Sequence, residues 1–156
     1  MSLHRYRSAT ALILNSLIQK LITDPGTPIV RMVFNVASRA LADLQVSDFP
    51  AVGILWLGFT PNSAPPDEGP HIKVWGTCRW AILVYDASGT DPLDFGPAAD
   101  VLEDIEGVLM DFELDYAPGQ ETPAIMYLED ERPENIEGMT LVLAGYYAAQ
   151  VTKTGG

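Results

Sequence analysis

Asp48-Phe49-Pro50-Ala51-Val52-Gly53-Ile54-Leu55-Trp56-Leu57-Gly58-Phe59 is a short apolar run opened by a proline. Pro50 fixes its own φ and lacks an amide donor, so it suits the entry of a strand and not its middle. Beyond it, Val52, Ile54 and Trp56 alternate with Ala51, Leu55 and Leu57. Both faces of such a strand are apolar and both need cover, which predicts a buried central strand. Gly53 and Gly58 leave flat places where a neighbour can come close.

Working outward, the upstream stretch from Ser8 to Thr23 places Leu14, Leu17, Ile18 and Leu21 at helical spacing, with Asn15, Ser16, Gln19 and Lys20 opposite. The pattern predicts an amphipathic helix stopped by Asp24-Pro25-Gly26. A strand is expected near Val30 to Val36, followed by an irregular link. Downstream, Thr60 to His71 carries four prolines and reads as a loop. Ile72 to Asp86 is the longest strand candidate. Val74, Cys78, Trp80, Ile82 and Val84 share one face, and Trp75, Thr77, Arg79, Leu83 and Tyr85 the other.

Pro97 is placed as the first residue of a second helix. There Ala98, Val101, Leu102, Ile105, Val108, Leu109 and Phe112 recur at helical spacing against acidic Asp100, Glu103, Asp104 and Glu106. Asp115 to Thr122 reads as a loop and Ala124 to Leu128 as a short strand. The run Glu129-Asp130-Glu131-Arg132-Pro133-Glu134 reads as a solvated segment, Met139 to Thr152 as a last strand, and Lys153 to Gly156 as a frayed tail. The order predicts one α+β domain over residues 1–156: a mixed or antiparallel sheet with an N-terminal helix and a second, acidic helix packed on it.

Charge is divided unevenly. Residues 1–80 hold seven Lys or Arg against five Asp or Glu, +2, whereas residues 81–156 hold two against sixteen, −14. The acidic second half argues against nucleic-acid binding as a main function, which rests on cations meeting phosphates. A charged share of 19% is low enough to suggest a surface covered by a partner. No apolar run reaches the ~18 residues of a membrane span. Arg5 and Arg7 precede an apolar stretch, as in a signal peptide, but polar residues interrupt it and no small-residue cleavage site follows; synthesis in the cytosol is expected. Cys78, the only cysteine, reads as a small core or interface residue.

Residue types that carry chemistry are scattered. His4 and His71 have no second histidine at ligand spacing, and Ser63 and Ser88 lack a nucleophile-elbow pattern. Asp86, Asp91 and Asp94 offer oxygens to a hard cation but lack the alternate spacing and closing Glu of a calcium loop. The chain is therefore expected to be no enzyme, with no catalytic, cofactor or metal site. A small metal- or ligand-binding enzyme domain using the 86–94 loop stands as a distant alternative.

The helix to Thr23, the strand ending in Val33-Phe34, the Asp48-Phe49-Pro50-Ala51-Val52 stretch and the long strand Ile72 to Tyr85 follow one another in a familiar order. With the acidic helix Pro97 to Met110 and the closing Gly138-Met139-Thr140-Leu141-Val142-Leu143 strand with Tyr146-Tyr147, this succession resembles the tail terminator proteins of long-tailed, siphovirus-type bacteriophages. The proline-rich Thr60 to His71 loop and the Asp115 to Thr122 excursion depart from it. The resemblance implies a virion protein of the tail neck, assembled in the host cytoplasm. Such a protein forms a homo-hexameric ring that caps the head-proximal end of the tail tube, stops tube polymerisation and offers a docking surface to the head.

Its partners would be its own copies, the tail tube protein and the head–tail connector or neck proteins. Genomic DNA would pass through the lumen without specific binding, and no membrane is involved. Another head-to-tail joining or tail-completion protein is the alternative within the same machine. On this reading Arg5, Arg7, Arg31, Arg39, Trp75, Arg79, Glu129, Asp130 and Glu131 are candidates for the subunit interface. Asp100, Glu103, Asp104 and Glu134 are candidates for an acidic lumen that repels DNA.

Overall fold

A computed structural model describes residues 2–23, 30–36, 48–61, 73–87, 96–114, 124–137 and 140–154. Helix α1 (Ser2–Ile18) widens into a π-helical turn at Gln19–Thr23; strands β1 (Met32–Asn35), β2 (Ala51–Pro61) and β3 (Lys73–Ala87) follow. Then come helix α2 (Gly96–Leu109) and strands β4 (Glu113–Leu114), β5 (Ala124–Glu137) and β6 (Thr140–Thr154). Among the described residues the strands form one mixed sheet in the order β1-β2-β3-β6-β5-β4. Only β1 and β2 run parallel; the other neighbours are antiparallel. The expected α+β fold is what the chain adopts.

Both helices cover the same face of the sheet. Ala9, Ile13, Leu17 and Leu21 of α1 and the following turn, four residues apart, are buried with Ala98, Val101, Ile105 and Leu109 of α2. Beneath them lie Val52, Ile54, Cys78, Trp80, Ile82, Val84, Leu141, Leu143 and Tyr147. Burying a side chain of this size stabilises by about 1.5–3 kcal/mol. The buried stripe of α1 is rotated from the expected one: Leu14 and Ile18 are only half-buried, because four-residue spacing follows the row that meets β1 and β2. Trp80 donates its indole N–H to Thr10 Oγ1 at 3.1 Å, tying α1 to the middle of the sheet.

The opposite face carries a smaller cluster of Phe34, Phe49, Ala51 and Tyr85, packed by Met32, Val36, Leu83 and Val142. No helix among the described residues lies on it. Phe34 stacks on Tyr85 at 6.0 Å over the bare Cα of Gly53, where an added Cβ would sit 3.1 Å from the Phe34 ring.

The opening stretch is interior only in its first half. Val52, Gly53 and Ile54 are fully paired between β1 and β3, but β1 ends at Asn35, so among the described strands Leu55–Pro61 pair only with β3. Trp56, expected inside, is 37% exposed, and Leu57 is 46% exposed. Both lie beyond the end of β1, and a bulge follows between Trp56 and Gly58, where Gly58 takes φ +109°, a conformation that suits glycine.

Other boundaries also differ from those expected. The first helix begins at Ser2 and not Ser8, the first strand is shortened to Met32–Asn35, and β2 starts one residue after Pro50. Lys153 and Thr154 are not frayed: they pair with Val74 and Lys73. The short β4 was not anticipated. Helix α2 ends at Leu109, Asp111 adopts φ 60°, and its N–H bonds Met126 O at 3.1 Å, turning the chain onto β5. The largest difference is β5. The charged run after Leu128 continues as strand to Glu137, hydrogen-bonded along β6 with bulges after Leu128 and Pro133.

Candidate functional site

Among the described strands, the outer half of β5 pairs on one side only. Leu128 lies opposite Tyr147, Asp130 opposite Tyr146, Arg132 opposite Ala144, and Pro133 opposite Leu143. Pro133 is tolerated because the proline sits on a sheet edge. Charged side chains, a proline and two bulges are the features by which exposed edges discourage indiscriminate pairing.

Several of these charges are paired within the chain. On the helix-free face Arg79 of β3 and Tyr127 of β5 flank Ala148 of β6. The small alanine lets Arg79 reach across to Glu129, Nε to Oε1 at 2.8 Å and Nη2 to Oε2 at 3.4 Å. The partner carboxylate, more than burial, sets the arginine's preference for its charged form, and its pKa is raised. With both groups about a third exposed, the pair contributes at most about 1 kcal/mol. One position along, Gln150 donates its amide to Thr77 Oγ1 at 3.0 Å and to the Tyr127 hydroxyl at 3.2 Å.

Arg132 donates to Asp130 and to Glu134, each at 2.8 Å, and lies 4.6 Å from the centre of the Tyr146 ring. The Tyr146 hydroxyl donates to Glu134. Hydrogen bonds from Tyr146 and then Arg132 hold the Glu134 carboxyl below its ordinary pKa. Desolvation, followed by the bond to Glu134, raises that of Tyr146.

The sequence-selected residues fall into several places. Arg79 and Glu129 are brought together, whereas Asp130 and Glu131 stand exposed on β5 and Arg31 stands exposed ahead of β1. Arg5 and Arg7 lie in α1 and Trp75 in β3 opposite Thr152; Arg39 lies outside the described residues. Asp100 and Glu103 are exposed and Asp104 half-buried on α2, on the helix-covered side. Glu134 bonds to Tyr146 on the other side, so the acidic lumen candidates are not brought together.

Asp86 is buried, and Asp91 and Asp94 lie outside the described residues, as do His71, Ser63 and Ser88. Among the described residues no group of three or more His, Cys, Asp or Glu stands close enough to hold a metal ion. No described helix is long and apolar enough to cross a membrane. A shallow hollow of about 380 Å³ beside Asn15, Ser16, Gln19 and Lys20 is the polar side of α1.

Tyr127, Tyr146, Gln150 and Thr77, which complete the surface ladder, escape sequence reasoning because each contact needs a neighbouring strand. The available signal was the period-two spacing of Asp130, Arg132 and Glu134.

No protein-family model matches the chain, and no curated protein matches it. Among solved structures it is similar to a chain of a structure titled "Virion of native gene transfer agent (GTA) particle". That likeness has 10% identity, a TM-score of 0.49, and covers 98% of this chain and 95% of the other.

Proposed function

We propose that the chain is a non-enzymatic structural subunit of a phage tail. As a hexameric ring it caps the head-proximal end of the tail tube, ends tube growth and presents a face to the head connector. The observation that carries this reading is the succession of elements around Asp48-Phe49-Pro50-Ala51-Val52. The succession runs from an N-terminal helix through a strand ending at Val33-Phe34 and a long strand to an acidic helix and a closing strand with Tyr146-Tyr147. It is the order of the tail terminator proteins that the sequence resembles.

The structure supports a role in assembly in physical terms. Polar side chains are spent on ladders across the sheet, and among the described strands both edges of the sheet are only partly paired. A closed ring requires two different surfaces on each subunit, one for each neighbour. With the acidic positions split between the two sides of the sheet, only one of the two sets can face a channel. Inactivating the gene in a tailed particle tests the reading. Tubes of uncontrolled length without heads are expected; normal-length tails carrying heads would rule it out.

A further inference from the structure

We infer that copies of this chain join side by side through the two edges of their sheets, in a stepped joint that continues the sheet from one subunit into the next. The inference deepens the ring reading above and rests on its premise that copies of the chain meet.

The steps follow from strand register. On one edge, β1 covers β2 only at Ala51–Ile54, and among the described strands none pairs with the outer side of Leu55–Pro61. On the other, β4 covers β5 only at Ala124 and Ile125, and among the described strands none pairs with the outer side of 127–137. Met32 is level, across the whole sheet, with Ala51, Tyr85, Val142 and Asn135, and Asn35 is level with Ile54, Ile82, Gly145 and Glu131. The protruding β1 thus stands at the height of the recess on the far edge. Counting along the same ladders, β4 stands at the height of Thr60 and Pro61, within the recess beside β1. Each projection matches the opposite notch, and β1 runs antiparallel to β5, a direction in which strands pair well.

Side-chain chemistry agrees with the register. Among the described residues, five of the seven large apolar side chains that are exposed lie on these flanks: Trp56 and Leu57 on one, Met110, Ile125 and Tyr127 on the other. Trp56 is level with Leu128, and Met110 precedes the residue that bonds Met126, so the two apolar groups are at similar heights. Trp56 lies on the helix-covered side, opposite Trp80, and Tyr127 on the helix-free side, so a continued sheet brings Trp56 beside Met110 at the end of α2 and not beside Tyr127. Arg31 is exposed and, among the described residues, forms no ion pair; it continues β1 to the level of Ile136, between Glu134 and Glu137 of the neighbour's acidic strand. A second copy offered edge to edge therefore meets complementary shape, apolarity and charge. Because the two edges differ, the contact is head-to-tail, the kind that closes into rings.

Two single variants test this, Leu57→Cys and Met110→Cys, both at exposed positions; the native Cys78 is buried. Each protein is concentrated alone, mixed with the other, and treated with a short bis-maleimide, with circular dichroism verifying the fold. The inference expects covalent dimers in the mixture, at several-fold higher yield than in a mixture of Leu57→Cys with Leu12→Cys, and only monomers from each variant alone. Dimers from either variant alone would show a two-fold contact and overturn it. A mixture that cross-links no better than the Leu12→Cys control would overturn it as well. Tube length in the gene-inactivated particle is read independently, so failure of the edges and failure of the capping reading are distinguishable.

Discussion

Strands β5 and β6 have almost the same length, 14 and 15 residues, and are hydrogen-bonded to each other, yet their compositions have little in common. Strand β6 lies between β3 and β5, with Leu141, Leu143, Tyr147, Ala149 and Val151 under the helices and Val142, Ala144, Tyr146, Ala148 and Gln150 on the other face. The outer half of β5 carries five carboxylates, an arginine and a proline. The difference teaches that composition reports what surrounds a strand more faithfully than whether a strand exists. Two paired sides and a covered face select apolar residues; one open side selects charge, bulges and proline, while β6 supplies the backbone bonds.

The strongest way to break this contrast is to attack the interior. Trp80→Ala, at a fully buried position that also holds Thr10, is expected to cost about 3–5 kcal/mol in chemical denaturation, enough to unfold much of the population. A loss below about 1 kcal/mol would show that α1 and the sheet are not one cooperative core.

That contrast also marks what could be read from the chain. The interior elements were legible because Trp80, Ile82 and Val84, or Val101, Ile105 and Leu109, carry their periodicity within one segment. The outer half of β5 was hard to read, because the alternation of Asp130, Arg132 and Glu134 is all charged and its meaning depends on Tyr146 and Ala144 standing beside it. Trp56 was misread for a related reason: alternation shows which face a residue takes but not where its neighbour strand ends. The candidate site was visible as residue types only, since the Arg79–Glu129 contact links positions fifty residues apart.

Alkaline pH should sharpen the comparison next. Burial pushes the Tyr85 phenol from its ordinary value of 10 up to about 12, and burial with a smaller push from Glu106 raises Tyr147 also. Both are raised in the folded state, so their stabilising difference is complete below pH 10 and is lost as pH rises from 10 toward 12. Denaturation midpoints followed across that window should fall, and Tyr85→Phe should flatten the fall. An unchanged slope in that variant would locate the alkaline transition elsewhere.

Effects at the margin should be smaller. Arg79→Met removes an exposed pair and is expected to cost less than about 1 kcal/mol by urea titration, with Glu129→Gln adding little to it in a double variant. A loss of several kcal/mol would mean that the β5 edge is part of the cooperative core after all. Smallest of all is the acid response of Glu134. Its pKa is lowered in the folded state, so its contribution is present above the ordinary carboxylate value and fades as pH falls through the folded one. Glu134→Gln should remove that fading from an acid titration while leaving the neutral-pH midpoint almost unmoved.

The central claim is that this chain closes the head-proximal end of a tail tube. Electron microscopy of purified particles carrying a small electron-dense label on this chain tests it most directly. The account predicts a single hexameric ring at the junction of tube and head in every particle. Label along the whole tube, at the distal tip, or absent from the particle would contradict it.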